Sequence, residues 1–193
     1  MIIGITGGTG CGKTTLLNVI RDLGGTVLDC DAIYHGLLQT DTALLAAIEA
    51  RFPGTVENGS LQRKKLGTIV FADKAALKDL NRITHKSIHT AVLQHLESAG
   101  ALTAIDAIGL FEGQLNKLCD VTVAVTAPEE HRVARLILRD NISEEYARAR
   151  IAAQRPQEEF QALCDYTLVN DSTQKVFYEK CLAFLIQLGI MKE

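Results

Sequence analysis

The sequence predicts an α/β fold, a five-stranded parallel sheet with helices on both faces. Three observations point there. Short apolar runs rich in β-branched residues recur along the chain, longer helix-like stretches separate them, and the composition is that of an ordinary globular protein, with 193 residues, 47% hydrophobic and 22% charged. A chain of this length buries enough surface to form a core without disulfides or a structural metal.

The five strand-like runs are Ile2–Thr6, Thr26–Asp29, Ala101–Asp106, Val121–Thr126 and Tyr166–Val169. Between the first two, Thr14–Leu23 reads as a helix that Gly24-Gly25 ends. Residues Asp41–Phe52 carry apolar side chains at 44, 45, 48 and 52, a helical spacing. A second helical block spans about residues 61–97, with Leu66, Ile69, Val70, Leu77, Leu80, Ile83, Ile88 and Leu96 as its apolar positions. It is far longer than a crossover between parallel strands requires, so it reads as an insertion that forms one wall of a substrate site. Ser172–Leu188 gives the last helix. A single domain over 1–193 is expected, with its core at about 1–40, 101–138 and 164–193, the insertion at 61–97 and a lid at about 139–155.

Charge and cysteine content narrow the function. Twenty Lys and Arg against 23 Asp and Glu leave a net charge of −3, which argues against a global grip on nucleic acid. No apolar run approaches the ~18 residues of a membrane span, and the N-terminus lacks the features of a signal peptide. The five cysteines are scattered and include no CxxC pair, so a cytoplasmic protein with reduced thiols is expected, without a membrane or nucleic-acid partner.

The strongest motif is Gly7-Gly8-Thr9-Gly10-Cys11-Gly12-Lys13-Thr14, which matches G-x-x-x-x-G-K-[ST] between a strand and a helix. Glycines let successive N–H groups curl toward one concavity, and the helix N-terminus adds partial positive charge beneath bound phosphates. Lys13 brings a full charge to the β- and γ-phosphates, and Thr14 offers a hydroxyl to Mg²⁺. The pattern predicts a P-loop NTPase fold that binds a nucleoside triphosphate. The glycines, Cys11 and Thr15 belong to the same ATP-binding loop. A thiol among these amides and near Lys13 is expected to have a lowered pKa and to be reactive until ATP covers it.

The remaining residues decide what is done with the triphosphate. Asn116-Lys117-Leu118-Cys119-Asp120 is one residue too long for a guanine reader and precedes a strand, so a GTPase is not indicated. In Val27-Leu28-Asp29-Cys30-Asp31 two carboxylates stand at a strand end. Asp31 is a candidate base for an acceptor hydroxyl or a water-mediated Mg²⁺ contact, with helix N-capping as its bland alternative. Asp106 at the end of the third strand is a second candidate for Mg²⁺. Six of the ten arginines fall within residues 132–155, where there is no lysine, and Arg132, Arg135 and Arg139 share a helix face. Planar guanidinium groups bind phosphate oxygens bidentately, so this segment reads as a helix–turn–helix lid, turning at 140–143. Nearby glutamates offer ordinary ion pairs instead. His85 and His89 stand four apart, but no Glu follows His85, so substrate contact by His85 is favoured over a metal.

Taken in order, these segments resemble the dephospho-coenzyme A kinase family almost end to end. Ile5 through Thr15 is similar to the family's opening, with Cys11 where serine is usual, and Val27–Asp31 resembles its aspartate segment. Ile83-Thr84-His85 matches its His-Pro site, with Lys86 in place of proline. Asp106 through Leu110-Phe111-Glu112 resembles its Pro-Leu-Leu-Phe-Glu segment, with Ile108-Gly109 replacing part of it. Leu138-Arg139-Asp140 and Ala152-Ala153-Gln154 match its lid, and Asn170-Asp171-Ser172 resembles a loop near adenine. The resemblance implies ATP-dependent phosphorylation of the ribose 3′-hydroxyl of dephospho-CoA, with Mg²⁺. It implies Lys13, Arg139 and Asp31 as catalytic residues, Asn170 at ATP, and Asp31, His85, Leu110 and Glu112 at the acceptor. Another nucleoside or nucleotide kinase, or an ATP-bound regulatory switch, is the alternative.

Overall fold

A computed structural model describes residues 1–191. The elements run β1 (Ile2–Thr6), α1 (Lys13–Asp22), β2 (Thr26–Asp29), α2 (Cys30–Thr40), α3 (Thr42–Arg51), β3 (Val56–Glu57), β4 (Ser60–Leu61), α4 (Arg63–Ala72), α5 (Lys74–Glu97) and β5 (Thr103–Asp106). A 3-10 turn (Leu115–Leu118) follows, then β6 (Val121–Thr126), α6 (Glu129–Asp140), α7 (Glu144–Ala152), α8 (Gln157–Leu163), β7 (Tyr166–Val169) and α9 (Gln174–Gln187). Among the described residues no helix is long and apolar enough to cross a membrane.

The chain forms two compact units, residues 1–27, 99–110 and 116–191 in the first and residues 28–98 with 111–115 in the second. The sheet has the strand order β2-β5-β1-β6-β7, with the β1–β5, β1–β6 and β6–β7 pairings parallel. Central β1 therefore has both edges paired, and its continuation past Thr6 is the glycine-rich loop. Ile3 and Ile5 point to one face and meet Leu16, Ile20, Val123, Val125, Phe177, Phe184 and Leu185 in the core. Gly4 points to the other, where an added Cβ would lie 2.8 Å from Cys119 Sγ and 3.0 Å from Leu110 Cδ2. Glycine here allows Leu110, which is fully buried, to pack directly on the strand. Leu110 is thus a core residue, which corrects its assignment to the acceptor site.

The second unit buries Leu38, Leu44, Leu45, Ile48, Phe52, Leu66, Val70 and Ala76. The apolar spacing of 41–52 gives α3, and its four apolar positions all turn inward. The helical block over 61–97 is broken in two, because Asp73 adopts an extended conformation and its carboxylate accepts the Ala75 N–H at 2.8 Å, capping α5. Asn58 and Gly59, both at positive φ, close a two-residue hairpin between β3 and β4, an element outside those expected from the sequence. Residues 28–40, expected in the core, belong to the second unit, where α2 packs on α5. The unit is correspondingly larger than the predicted 61–97 insertion. β5 begins at Thr103 rather than Ala101, since its first ladder partner is Ile2, almost at the start of the chain.

Phe177 on α9 fills the space between that helix and the sheet and is fully buried. Phe177→Ala should lower the unfolding free energy by ~3–5 kcal/mol. Urea denaturation measures this, and a loss under ~1 kcal/mol would contradict the packing described.

Candidate active site

The loop between β1 and α1 is shaped by close backbone contacts. Gly7 has φ 136°, and a Cβ there would lie 2.1 Å from the Val125 carbonyl oxygen. Gly12, at φ 98°, opens α1, and a Cβ on it would strike the Asn170 amide at 2.2 Å. Both positions therefore exclude any other residue.

Polar side chains hold the loop by its carbonyls. Arg132 Nε donates to Thr9 O at 2.9 Å, and Arg135 Nη1 donates to Gly10 O at 3.1 Å and Cys11 O at 3.3 Å. Asn170, buried at the end of β7, donates its Nδ2 to Cys11 O at 2.9 Å and accepts from Arg135 Nη2 at 3.0 Å. Gln154 Oε1 accepts the Thr9 N–H at 2.8 Å and an Arg132 Nη2–H at 3.3 Å. No peptide here is cis, so each fixed carbonyl turns the following N–H to the opposite side. The Gly10 and Gly12 N–H groups thus face away from the arginines, while Cys11 N–H closes the turn on Gly8 O at 3.4 Å. At the start of α1 the N–H groups of Lys13 and Thr14 lie among those with no intrahelical acceptor. The result is a concavity of donors fixed before any ligand arrives.

Lys13 folds across this concavity. Its Nζ donates to Gly7 O at 2.9 Å and lies 4.0 Å from Asp106 Oδ1, with both side chains largely covered. Thr14 is exposed at the helix start and Thr15 is half-buried, its N–H on Gly12 O at 3.0 Å. The expected loop cation and the acid at the end of β5 are therefore neighbours.

Several expectations need correction. Arg132 and Arg135 do not offer their forks to a ligand, because both are spent on the loop's carbonyl side. Arg148 pairs with Glu130 and Glu144 at 2.8 Å each and Arg155 with Glu159 at 3.2 Å, ordinary ion pairs between side chains that reach solvent. Arg139 makes a bidentate contact to Asp140, at 2.7 and 3.0 Å, and Arg150 bonds the same carboxylate at 2.6 Å. These two guanidinium groups hold Asp140 down at about 2. The helix–turn–helix itself is present, with Asn141 in the left-handed conformation ending α6 and Ser143 capping α7. Asn170 lies beneath the loop and serves it from there, a role that no local signal announces.

Cys11 departs furthest from expectation. Its side chain is 1% exposed and packs with the core, close to Gly7. Burial pushes the thiol up, against smaller opposing effects of Lys13 and Arg132. Cys119, Cys164 and Cys181 are likewise pushed up, to about 12, 11 and 12.

In the second unit, Asp29 rather than Asp31 caps α2, accepting the Asp31 and Ala32 N–H groups at 2.9 and 3.0 Å. Asp31 is in the first turn of the helix, not on the strand, and its exposed carboxylate is left available. His85, His89 and Glu112 line one cavity of about 780 Å³ together with a row of cations from α5. Among the described residues no three His, Cys, Asp or Glu side chains converge as a metal cluster.

A strand, a G-x-x-x-x-G-K-T loop with its carbonyls tied down, and an arginine-bearing helix pair describe a phosphate-binding kinase core. The CoaE dephospho-CoA kinase family model matches residues 1–175. The chain belongs to the dephospho-CoA kinase family. A dephospho-CoA kinase from Syntrophotalea carbinolica is 32% identical over 194 residues, covering 97% of this chain and 92% of its own. A solved structure from Thermus thermophilus superposes with a TM-score of 0.82 at 32% identity, covering 97% of this chain and 96% of that one. The dephospho-CoA kinase from Campylobacter jejuni gives 0.67 at 26% identity, covering 98% of both. The match covers residues of both units, running from residue 1 to the start of α9.

Iodoacetamide near neutral pH should label Cys11 at least about tenfold more slowly in the folded protein than in the urea-unfolded chain, with or without ATP. Mass-spectrometric mapping decides this. Rapid labelling that ATP suppresses would restore the reactive-thiol reading.

Proposed function

We propose that this protein transfers the γ-phosphoryl group of ATP to the ribose 3′-hydroxyl of dephospho-CoA, yielding CoA and ADP. The observation that carries the reading is the phosphate loop, whose donors are already fixed toward one concavity with Lys13 across it. A loose phosphoryl-transfer transition state needs positioning and charge neutralisation more than covalent chemistry. The N–H groups of Gly10, Gly12, Lys13 and Thr14 and the Lys13 ammonium take the phosphate charge. Thr14 Oγ1 and the Asp106 carboxylate are hard oxygen donors of the kind Mg²⁺ takes alongside phosphates, and they are the residues that would hold it. When bound, Mg²⁺ neutralises phosphate charge during transfer.

Asp31 accepts or orients the proton of the acceptor hydroxyl, which fits a carboxylate left exposed while Asp29 does the capping. His85 and Glu112, on the cavity wall, contact the acceptor. Arg139 supplies lid charge to the transferring group by leaving Asp140, which keeps Arg150 as its partner. The proposed setting is the cytoplasm, consistent with five cysteines none of which is joined in a disulfide.

Incubation with Mg-ATP and a panel of dephospho-CoA, AMP, CMP and nucleosides, followed by product identification, tests the reading. Dephospho-CoA should be the acceptor phosphorylated, and acceptor-independent ATP turnover would contradict it. In the same assay Asp31→Asn should lower kcat by ~10²–10⁴-fold with little change in the KM for ATP. Full kcat with collapsed ATP binding would move Asp31 to the metal's surroundings.

A further inference from the structure

Helix α5 carries Lys74, Lys78, Arg82 and Lys86 at successive intervals of four, and all four line the same cavity of about 780 Å³. Residues four apart are neighbours on a helix face, so this row places three like-charge pairs in succession, an arrangement that destabilises a helix by itself. Little in the protein relieves it. Asp79 is bonded by Arg51 at 2.7 Å, which lowers its pKa, and it reaches Arg82 only at 3.4 Å. Among the described residues the ammonium groups of Lys74, Lys78 and Lys86 make no ion pair or hydrogen bond. The other acid lining it is Glu112, beside Gly113 and Gln114, and His85 and His89 line it from α5 itself. Four cations against two carboxylates leave the cavity electropositive.

We propose that the α5 cation row is the subsite that binds the diphosphate group of the acceptor, with Lys78 and Lys86 as its principal contacts. This deepens the kinase reading and rests on it. Lys78 and Lys86 stand two helical turns apart, about 12 Å along the axis, and their flexible four-carbon stems let both ammonium groups close on a diphosphate lying between them, beside Arg82. The repulsion built into the helix is then relieved when the ligand binds.

The experiment compares wild type, Lys78→Gln/Lys86→Gln and Lys78→Arg/Lys86→Arg by steady-state kinetics and melting temperature. Protection of each lysine from acetylation by dephospho-CoA is mapped in parallel by mass spectrometry. The Gln pair should raise the KM for dephospho-CoA by ~10-fold or more, with the KM for ATP unchanged. Its melting temperature should stay level or rise, because like-charge repulsion is removed. The Arg pair should restore the KM to near wild type, and dephospho-CoA should shield Lys78 and Lys86 in the wild type. An unchanged KM with no shielding, in an enzyme that does phosphorylate dephospho-CoA, overturns the subsite and leaves the kinase reading standing. A wild type that does not phosphorylate dephospho-CoA overturns both.

Discussion

Two guanidinium groups hold a glycine-rich loop by its carbonyl oxygens, and the organisation of the first unit follows from that grip. A loop containing Gly7, Gly8, Gly10 and Gly12 has large conformational freedom, and a phosphate site built on it must remove that freedom in advance. Arg132, Arg135, Asn170 and Gln154 do so from α6, the end of β7 and the segment after α7. Hydrogen bonds from charged donors contribute about 1.5–3 kcal/mol each, enough to fix a segment that glycine would otherwise leave mobile. Burial lowers the Arg132 pKa, but from a starting value so high that the group stays charged. The parallel sheet supplies the frame, because β6 beside β1, and β7 beside β6, bring their carboxyl ends to the same edge of the sheet as that of β1.

The division of labour among the arginines follows from burial. Arg132 is 4% exposed and meets backbone oxygens, whereas Arg148 and Arg155 reach solvent and pair with glutamates. Arg139 stands between these cases, exposed and held by Asp140, a carboxylate that has a second partner in Arg150. The second unit uses charge in the opposite way. Among the described residues the α5 lysines Lys74, Lys78 and Lys86 make no ion pair, and the cavity they line is the place proposed for a ligand to satisfy them.

What was legible in the sequence was whatever local order determines. All five sheet strands, the loop motif, α1, α3 and the turn between α6 and α7 follow from apolar period, glycine placement and capping residues. The Asn-Gly pair at 58–59 is an equally local signal for the β3–β4 hairpin. The direction in which a side chain points was harder to read. Arg132 and Arg135 were placed on the right helix face, but the sequence does not say that this face meets the carbonyl side of a loop over 120 residues away. Cys11 was given the electrostatics of its neighbours, while its side chain turns inward and burial governs the thiol. The Asn170 contact to Cys11 spans 159 residues, and a lone Asn after a strand carries no mark of it.

Calorimetric titration of ADP into wild type and Arg135→Lys tests the central claim most directly. Lysine keeps the charge but lacks the fork that reaches Gly10, Cys11 and Asn170 together. If the loop's donors are preorganised from its carbonyl side, the variant should bind ADP at least about tenfold more weakly while remaining folded at the temperature of the titration. A folded variant that binds ADP with wild-type affinity would contradict the account.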